Sequence, residues 1–458
     1  MGARQSMGPG MIQAEKLVDL DTGYVSRRIY SDESMYRQEL ERVFRRCWLF
    51  LAHDSMLPAP GDYVTTFMGE DSVVVVRDPH GRVRAFLNTC PHRGNKVCLF
   101  DSGHAKSFTC SYHGWSFDTE GALAGVPFDQ EAYYGELDRS RMGLVEVPHV
   151  KEYGGLIFGC WDPVLDLDSY LGDLRWYLEK LLFAEDMGGL EVLPGCQRYR
   201  NVGNWKVACD NFSGDHYHTH TTHASGLMLG VGFTAERNAA RQRTRSHEQG
   251  RQGYFEIALK PAHGLGGIFT SSEPYERDLV RARELGPEVL EWVEERHRRL
   301  QERLADTPAK PYGFQHGNCF PNLNWVGAGT AFTGRGFYVW HPKGPLLSEA
   351  WQWCFVERAA PQIVKEMAAK QFARGQAAAG LFGQDDYETF ERVTGNTLTP
   401  LAQDLTFYYG MKLGYDGRWR NQETWDTAGM PGLVGPRFSE TNQRGFYKFW
   451  AELMGLEE

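Results

Sequence analysis

The chain has 458 residues and a mass of 52.1 kDa, which is enough for two or three domains of ordinary size. Its residues are 42% hydrophobic and 13% aromatic, so it can bury large cores and is not expected to be disordered. The net charge of −10 excludes the basic character of a nucleic-acid-binding protein. The chain also has no apolar run of about 18 residues, the length that a membrane-spanning helix needs.

The cysteine content and the first residues indicate where the protein works. Nine cysteines in so long a chain are sparse and odd in number, which does not suit a disulfide scaffold. Residues 1–13 lack the basic stretch followed by an apolar stretch that marks a secretory signal. We therefore expect a cytoplasmic protein that engages neither membrane nor nucleic acid.

Residues 1–45 are interpreted as a loose arm followed by a helix. Ser31 or Asp32 can cap this helix, which is expected to run to about Trp48. Its apolar face is formed by residues at helical spacing, namely Tyr36, Leu40, Val43, Phe44 and Cys47.

Residues 46–166 have the pattern of short strands. Residues 73–76 are a run of valines, residues 78–81 form a turn, and apolar residues then alternate with their neighbours at Val83, Ala85 and Leu87. This segment predicts a small all-β module.

The remaining residues, 167–458, mix helical and strand patterns. Helices are predicted over residues 204–224 and 276–304, and Pro361 opens a third that reaches toward Leu381. Strand-like runs cover residues 322–326, 336–341 and 351–356. The fold class predicted is therefore α+β, with an all-β module followed by a larger mixed domain.

The β module contains two Cys-His pairs. Cys90 and His92 are followed, after 17 residues, by Cys110 and His113. A structural zinc site is one interpretation, although zinc patterns usually pair Cys with Cys and His with His. One Cys and one His from each loop favour a Rieske [2Fe–2S] centre, in which Cys binds one iron and His the other.

A second concentration of ligands lies in the larger domain. Four of the 15 histidines fall within eight residues, which favours a metal site over a solvated helix face. Helical spacing leaves the ligand pair open, since His216 and His220 are four residues apart and His220 and His223 are three apart. His218 and His223 lie about 140° apart on an ideal helix and converge only if the helix bends or ends between them.

An acidic pair, Asp385-Asp386, follows the helix that Pro361 begins. Two histidines and one carboxylate form the facial triad of non-haem Fe(II) oxygenases, which leaves coordination positions open for O2 and water. By its position alone, however, the pair is assigned to a helix end or a solvated turn.

These segments together resemble the large, catalytic subunit of the Rieske non-haem iron aromatic-ring-hydroxylating dioxygenases, such as the naphthalene and biphenyl dioxygenases. The resemblance spans nearly the whole chain and is carried by residues 48–54, 60–63, 110–115, 204–206, 211–223, 383–386 and 444–447. It implies a Rieske domain over residues 46–166. It also implies a mononuclear iron domain over residues 167–458, with an antiparallel sheet flanked by helices and residues 1–45 packed against it.

The resemblance also implies the cluster ligands and the iron ligands. The side chains that look like cluster ligands are Cys90, His92, Cys110 and His113. The family's Asp-x-x-His-x4-His stretch selects His218 and His223 as iron ligands, in place of His216 and His220. The second residue of the acidic pair, Asp386, matches the family's carboxylate ligand.

Three further residues receive roles from the resemblance. Asp215 matches a carboxylate that links an iron-binding histidine to a cluster histidine of the neighbouring subunit. Asn211 matches a residue close to the iron, and His316 matches a histidine of the substrate pocket.

The activity implied is that of a terminal oxygenase, which uses O2 to convert a small aromatic substrate into a cis-dihydrodiol. The sequence has no dinucleotide-binding Gly-x-Gly-x-x-Gly motif after a strand, so electrons are expected to come from NAD(P)H through a reductase and a ferredoxin. The family also implies a trimer of large subunits, or a hexamer with small subunits. The alternative is a Rieske monooxygenase of an aromatic acid such as salicylate, which the basic residues Arg241, Arg243 and Arg245 favour.

Overall fold

The computed structural model describes residues 16–228, 254–269, 272–308, 311–327, 330–417, 427 and 429–456. The predicted class is confirmed, since an all-β module precedes a larger domain built on an antiparallel sheet with flanking helices. Within the described residues, no helix combines the length and the apolarity needed to cross a bilayer. Most of the predicted N-terminal arm, residues 1–15, and the three arginines at 241–245 lie outside the described residues.

The α-helices of the described chain are α1 (Glu33–Glu39), α2 (Asp129–Tyr133), α3 (Leu167–Leu171), α4 (Leu174–Tyr177), α5 (Trp205–Phe212), α6 (Thr219–Thr222), α7 (Ala224–Met228), α8 (Ser272–Leu285), α9 (Pro287–Arg303), α10 (Gln362–Gly375), α11 (Leu381–Asn396) and α12 (Thr441–Met454).

The strands are β1 (Val18–Asp19), β2 (Tyr24–Ser26), β3 (Leu49–His53), β4 (Asp62–Met68), β5 (Asp71–Arg77), β6 (Val83–Leu87), β7 (Ser102–His104), β8 (Ser107–Thr109), β9 (Ser116–Asp118), β10 (Leu123–Gly125), β11 (His149–Tyr153), β12 (Leu156–Cys160), β13 (Leu190–Val192), β14 (Gln197–Asn201), β15 (Tyr254–Leu259), β16 (His263–Phe269), β17 (Pro311–Cys319), β18 (Leu323–Val326), β19 (Arg335–Pro342), β20 (Ser348–Glu357), β21 (Thr406–Tyr408) and β22 (Leu433–Pro436).

The sheet of the β module lies between two hydrophobic cores. Its strands follow the order β6-β5-β4-β7, and the valines of β5 point alternately to opposite faces. Val73 and Val75 belong to the main core of the protein, whereas Val74 and Val76 belong to a smaller core inside the module. Because both faces are covered, β5 is apolar without alternation, which explains the run of valines.

The larger domain is organised around one antiparallel sheet in the order β13-β20-β19-β18-β17-β16-β15-β22, with β14 also pairing with β20. Strand β19 is buried along its whole length, so the sheet is the centre of the domain. Helix α5 packs on β17, β18 and β19, and α12 packs on β15 and β16. The segment that follows α5 is thereby fixed against the face of the sheet.

The N-terminal segment is tied to the larger domain by a buried ion pair. Glu39 accepts hydrogen bonds from Lys206 Nζ at 2.5 Å and from the indole N–H groups of Trp205 and Trp450, each at 2.9 Å. Neither charge is exposed to solvent, because the side chains of Glu39 and Lys206 are 1% and 0% exposed. The ion pair joins α1, α5 and α12.

Several predicted helices differ from those observed. Asp32 is the N-cap of α1, but the α-helix ends at Glu39 and continues as one π-helical turn, Leu40–Phe44, so it stops short of Trp48. The helix predicted over 276–304 is divided at Gly286, and the one opened by Pro361 ends at Gly375.

The assignment of the acidic pair from its position alone, to a helix end or a solvated turn, was wrong. Asp385 and Asp386 lie inside α11 and not at a helix end or in a turn. The predicted helix over residues 204–224 is also wrong, since it breaks after Phe212. Both differences bear directly on the site described below.

We expect Glu39→Gln to destabilise the protein by about 3–5 kcal/mol, because it leaves the buried Lys206 ammonium without a counter-charge. Chemical denaturation followed by tryptophan fluorescence measures the change. The double variant Glu39→Gln/Lys206→Met should lose less stability than the single variant, since no buried charge remains. The control is Glu33→Gln, which removes an exposed pair with Arg37 and should leave the denaturation midpoint unchanged.

Candidate metal centres

The two Cys-His loops of the β module have the same backbone hydrogen bond and the same glycine conformation. In the first loop the N–H of Gly94 donates to the carbonyl of Cys90 at 2.9 Å, and in the second Gly114 donates to Cys110 at 3.0 Å. Gly94 and Gly114 have φ values of +74° and +73°, a conformation that side chains other than that of glycine rarely adopt. The two loops are therefore equivalent turns that each begin at a cysteine, with the histidine two residues later in the first loop and three residues later in the second.

The loops bring like ligands together. The thiols of Cys90 and Cys110 are close enough to shift each other's pKa. The imidazole rings of His92 and His113 lie 4.5 Å apart, and the ring of His92 stacks on Trp115 at 4.8 Å. A pair of sulfurs beside a pair of imidazoles is the arrangement that one two-iron cluster requires, with Cys on one iron and His on the other.

The chemistry of these four donors also fits a cluster. Burial opposes ionisation of Cys110, but backbone N–H groups and the Asn95 amide, which is 3.6 Å from Sγ, lower the pKa of the thiol. N–H groups directed at a sulfur also stabilise a metal-bound thiolate. The Nδ1 atom of His92 is buried without a hydrogen-bond partner among the described residues, and metal coordination would satisfy it.

The second site depends on the break in the chain after α5. Helix α5 ends at Phe212, and the short helix α6 begins only at Thr219. Gly214 allows the intervening turn to pass close to α12, because a Cβ at this position would lie 2.3 Å from Asn442 Nδ2. His218 and His223, which a continuous helix would direct apart, converge on each other as a result.

Two histidines and one carboxylate meet at this point. The Nε2 atoms of His218 and His223 are 3.1 Å apart, and they lie 3.5 and 3.2 Å from Oδ1 of Asp386. Ligand atoms bound at right angles to one ion, with bonds of about 2.1 Å, are about 3 Å apart. The three atoms therefore have the spacing of ligands on one face of a single metal ion.

The neighbouring carboxylates keep this site electrostatically negative. Burial disfavours the charged form of His218, but the carboxylates of Asp215 and Asp386 outweigh it and raise the pKa of His218 to about 10. Burial also opposes the ionisation of Asp386, yet its contacts with His218 and His223 hold the pKa of the carboxyl below its usual range. A divalent cation would replace the positive charge that His218 carries here.

Other groups fix the orientation of the two imidazoles. Nδ1 of His218 lies 3.3 Å from Oδ2 of Asp215 and 3.3 Å from the amide nitrogen of Asn211. Nδ1 of His223 lies 3.3 Å from Oδ2 of Asp385. Each Nε2 atom thus faces the centre of the site because the opposite side of its ring is held.

The other two histidines of residues 216–223, His216 and His220, lie outside this triangle. His220 is exposed, and its ring approaches Phe438 at 6.4 Å. His216 is buried and contacts Glu256 and His316, with Nδ1 of His216 at 2.6 Å from Oε1 of Glu256. Sequence reasoning missed Glu256, although a single carboxylate in the apolar strand β15 was a detectable signal.

Two family models match consecutive parts of the chain. The Rieske [2Fe-2S] domain matches residues 47–150, and the catalytic domain of the ring-hydroxylating alpha subunit matches residues 167–456.

The relatives include biphenyl 2,3-dioxygenase subunit alpha of Rhodococcus jostii (strain RHA1), which is 37% identical over 96% of this chain and 90% of its own length. Benzene 1,2-dioxygenase subunit alpha of Pseudomonas putida is 36% identical over 96% of this chain and 93% of its own. A solved structure of naphthalene 1,2-dioxygenase with indole bound in the active site matches with a TM-score of 0.82 and 33% identity, over 96% of this chain and 93% of that chain. The chain therefore belongs to the ring-hydroxylating dioxygenase alpha subunits, iron oxidoreductases that combine a Rieske [2Fe–2S] domain with a catalytic domain for mononuclear iron.

Proposed function

We propose that the protein is the terminal oxygenase of a multicomponent system, in which it adds both atoms of O2 to an aromatic ring and releases a cis-dihydrodiol. The observation that carries this proposal is the triangle of Nε2 and Oδ1 atoms, with sides of 3.1–3.5 Å, formed by His218, His223 and Asp386. A facial set of three ligands leaves the opposite side of an iron ion for O2 and substrate. The biphenyl and benzene dioxygenase subunits among the relatives support an aromatic substrate.

In this proposal His218, His223 and Asp386 hold the mononuclear Fe(II), and Cys90, His92, Cys110 and His113 hold the Rieske cluster. The iron supplies O2 chemistry and the cluster supplies single electrons, neither of which side chains provide. Asp215 orients His218 through Nδ1, Asn211 approaches the same atom, and His316 belongs to the substrate pocket.

The electrons come from NAD(P)H through a reductase and a ferredoxin. The exposed side chains of Arg93, Lys96 and Lys106 lie on or beside the cluster loops and would suit an acidic ferredoxin. We also propose a trimer of these chains, alone or with three small subunits, in which Asp215 bridges His218 to a cluster histidine of the neighbouring chain. The nine free cysteines suit a cytoplasmic protein.

Product analysis with 18O2 tests the activity directly. We expect purified protein, supplied with NADH and a generic reductase and ferredoxin, to form a biphenyl dihydrodiol that carries two labelled oxygen atoms, because both atoms of one O2 enter the ring. A product with a single labelled hydroxyl would favour the monooxygenase alternative, and no oxygenated product at all would contradict the proposal.

Replacement of one proposed iron ligand should remove one iron and spare the cluster. We expect His223→Ala to lower the iron content from about three to about two atoms per chain, since two irons belong to the Rieske centre. Iron analysis and the visible absorbance of the cluster measure this separately. The matched control is His220→Ala in the same segment, which should retain all the iron because His220 is exposed and outside the triangle. Equal iron loss in both variants would reject the assignment.

Asp215→Ala tests the orienting and bridging role. We expect the variant to keep both metal centres but to lose about 10- to 100-fold in turnover, the usual effect of removing a carboxylate behind a metal-bound histidine. Iron content, cluster absorbance and coupled NADH oxidation in the presence of substrate are measured together. Turnover equal to that of the wild type would exclude the role.

A further inference from the structure

Residues 99–101 form an exposed apolar turn next to the first Cys-His loop. Leu99 and Phe100 are 63% and 72% exposed, and they follow each other directly in the chain. Single apolar residues are common on protein surfaces, whereas adjacent ones that stay exposed form the patches at which proteins associate. The turn lies between Cys98 and strand β7 of the β module.

Hydrogen bonds hold the backbone of this turn on both sides. Nδ2 of Asn88 donates to the carbonyl of Cys98 at 2.8 Å, and Oδ1 of Asn88 accepts from the N–H of Cys98 at 2.9 Å. The Thr65 hydroxyl donates to the carbonyl of Phe100 at 3.2 Å, and the Thr65 N–H donates to the carbonyl of Asp101 at 2.8 Å. The two apolar side chains are therefore exposed by a backbone that is fixed.

The turn is close to the cysteine ligands of the proposed cluster. The N–H of Cys90 donates to the carbonyl of Asn95 at 2.8 Å, and the Asn95 amide is 3.6 Å from Sγ of Cys110. Leu99 follows Asn95 by four residues, so their Cα atoms are at most about 14 Å apart. A protein bound at the turn would lie beside the cysteine side of the cluster.

An ion pair joins the turn to the larger domain. Nη1 of Arg198 on β14 is 2.6 Å from Oδ1 of Asp101. Arg200 lies two residues further along β14, so its side chain is on the same face of the strand, and this side chain is 74% exposed. Its ion pair with Glu349 is longer, at 3.7 Å. Arginines of the larger domain thus lie beside the apolar turn of the β module.

Two lysines lie near the same turn. Thr65, which bonds to the turn, and Phe67 are two residues apart on β4, so their side chains point to the same face. Nζ of Lys96 lies 5.8 Å from the centre of the Phe67 ring, and Nζ of Lys343 lies 3.1 Å from it. Lys96 belongs to the first Cys-His loop and Lys343 to the larger domain, so both domains contribute cations here.

These cations stand out in a chain whose net charge is −10. Burial, Lys96 and Arg200 lower the pKa of Lys343, Glu349 and Glu70 oppose them, and the resulting pKa is about 8. Lys343 is therefore still mostly charged near pH 7, and it lies within electrostatic reach of two other cations. An acidic protein would be attracted to this region, although the chain as a whole repels it.

The histidine ligands face other residues. The ring of Tyr112 stacks on His113 at 3.8 Å, and that of Trp115 stacks on His92 at 4.8 Å. In the proposed trimer this side faces Asp215 of the neighbouring chain, so electrons leave the cluster through its histidines. An electron donor needs a different approach to the cluster, and the apolar turn on the cysteine side provides it.

Resting on the proposed function, we propose that the ferredoxin binds at a docking patch on the cysteine side of the cluster. The docking patch consists of Leu99, Phe100, Lys96, Arg200 and Lys343. The two apolar side chains contact an apolar area of the ferredoxin, and the cations attract acidic groups around the ferredoxin cluster. The reduced ferredoxin then gives one electron to the Rieske cluster, and no bond is made or broken.

Binding of the oxidised ferredoxin tests the patch without turnover. Calorimetry gives the Kd for the [2Fe–2S] ferredoxin that supports biphenyl oxidation by the wild type. We expect Phe100→Ser to raise Kd about tenfold, the effect of removing a central aromatic contact. Lys96→Gln should raise Kd at low salt and have less effect at high salt, because salt screens the attraction. The matched control is Phe128→Ser, which removes an aromatic residue of the same module that is 78% exposed and should keep the wild-type Kd.

Reduction of the cluster gives a second measurement. Stopped-flow absorbance follows this reduction by subsaturating reduced ferredoxin and, separately, by dithionite, a small reductant that needs no docking patch. We expect Phe100→Ser to slow the first reaction about tenfold and to leave the second unchanged. Cluster absorbance and thermal melting verify that each variant is folded and loaded.

The outcomes separate this inference from the proposed function. If folded Phe100→Ser binds the ferredoxin and accepts its electron like the wild type, the docking patch is wrong and the oxygenase function stands. The same conclusion follows if Phe128→Ser weakens binding and Phe100→Ser does not. If the wild type, with both metal centres loaded and its cluster reduced by dithionite, converts no biphenyl in a single turnover, the proposed function fails first.

Discussion

The Glu39 carboxylate is the point at which three distant parts of the chain are held together. Removing it and the Lys206 ammonium from water is costly, and this cost is offset only because Lys206, Trp205 and Trp450 all direct donors at the same two oxygens. Trp205 and Lys206 are the first two residues of α5. The start of the helix that leads into the proposed iron site is therefore fixed to both α1 and α12, and the end of this helix determines where the histidines emerge.

The buried carboxylates near the two histidines differ in their hydrogen-bond partners and therefore in their pKa values. Asp210, near the end of α5, accepts hydrogen bonds from the hydroxyls of Tyr409 and Tyr447 at 2.6 and 2.7 Å, and burial raises its pKa to about 7. Asp215 and Asp386, which contact imidazoles, have lowered pKa values instead. Asp210 and Asp215, five residues apart, thus have pKa values shifted in opposite directions, because burial dominates at Asp210 whereas His218 outweighs burial at Asp215.

The fold class and the candidate ligands could be predicted from the sequence, but the geometry of the sites could not. Cys90 and His92 are two residues apart in the sequence, and Cys110 and His113 are three apart, so the two loops can be recognised without a structure. The pairing of His218 with His223 required a helix break, which the apolar pattern of residues 204–224 does not reveal. Asp386 lies about 160 residues away in the chain and inside a helix, where local pattern assigns a carboxylate to solvent.

Glu256 illustrates a different limit of sequence reasoning. Its strand is apolar, and nothing local indicates that two histidines from other segments approach it across a glycine. Cross-strand register, which brings Glu256, Gly266 and His316 into one row, is a property of the assembled sheet.

The valines of β5 have a consequence for protein engineering. Because alternate side chains of one strand enter two separate cores, the cluster-bearing module shares its central strand with the body of the protein. A chimera that takes this module from another oxygenase would have to import the residues facing Val73 and Val75 along with it. The stability of the chimera would be limited by how well these residues pack against Val73 and Val75, even if the grafted cluster loops kept their own structure.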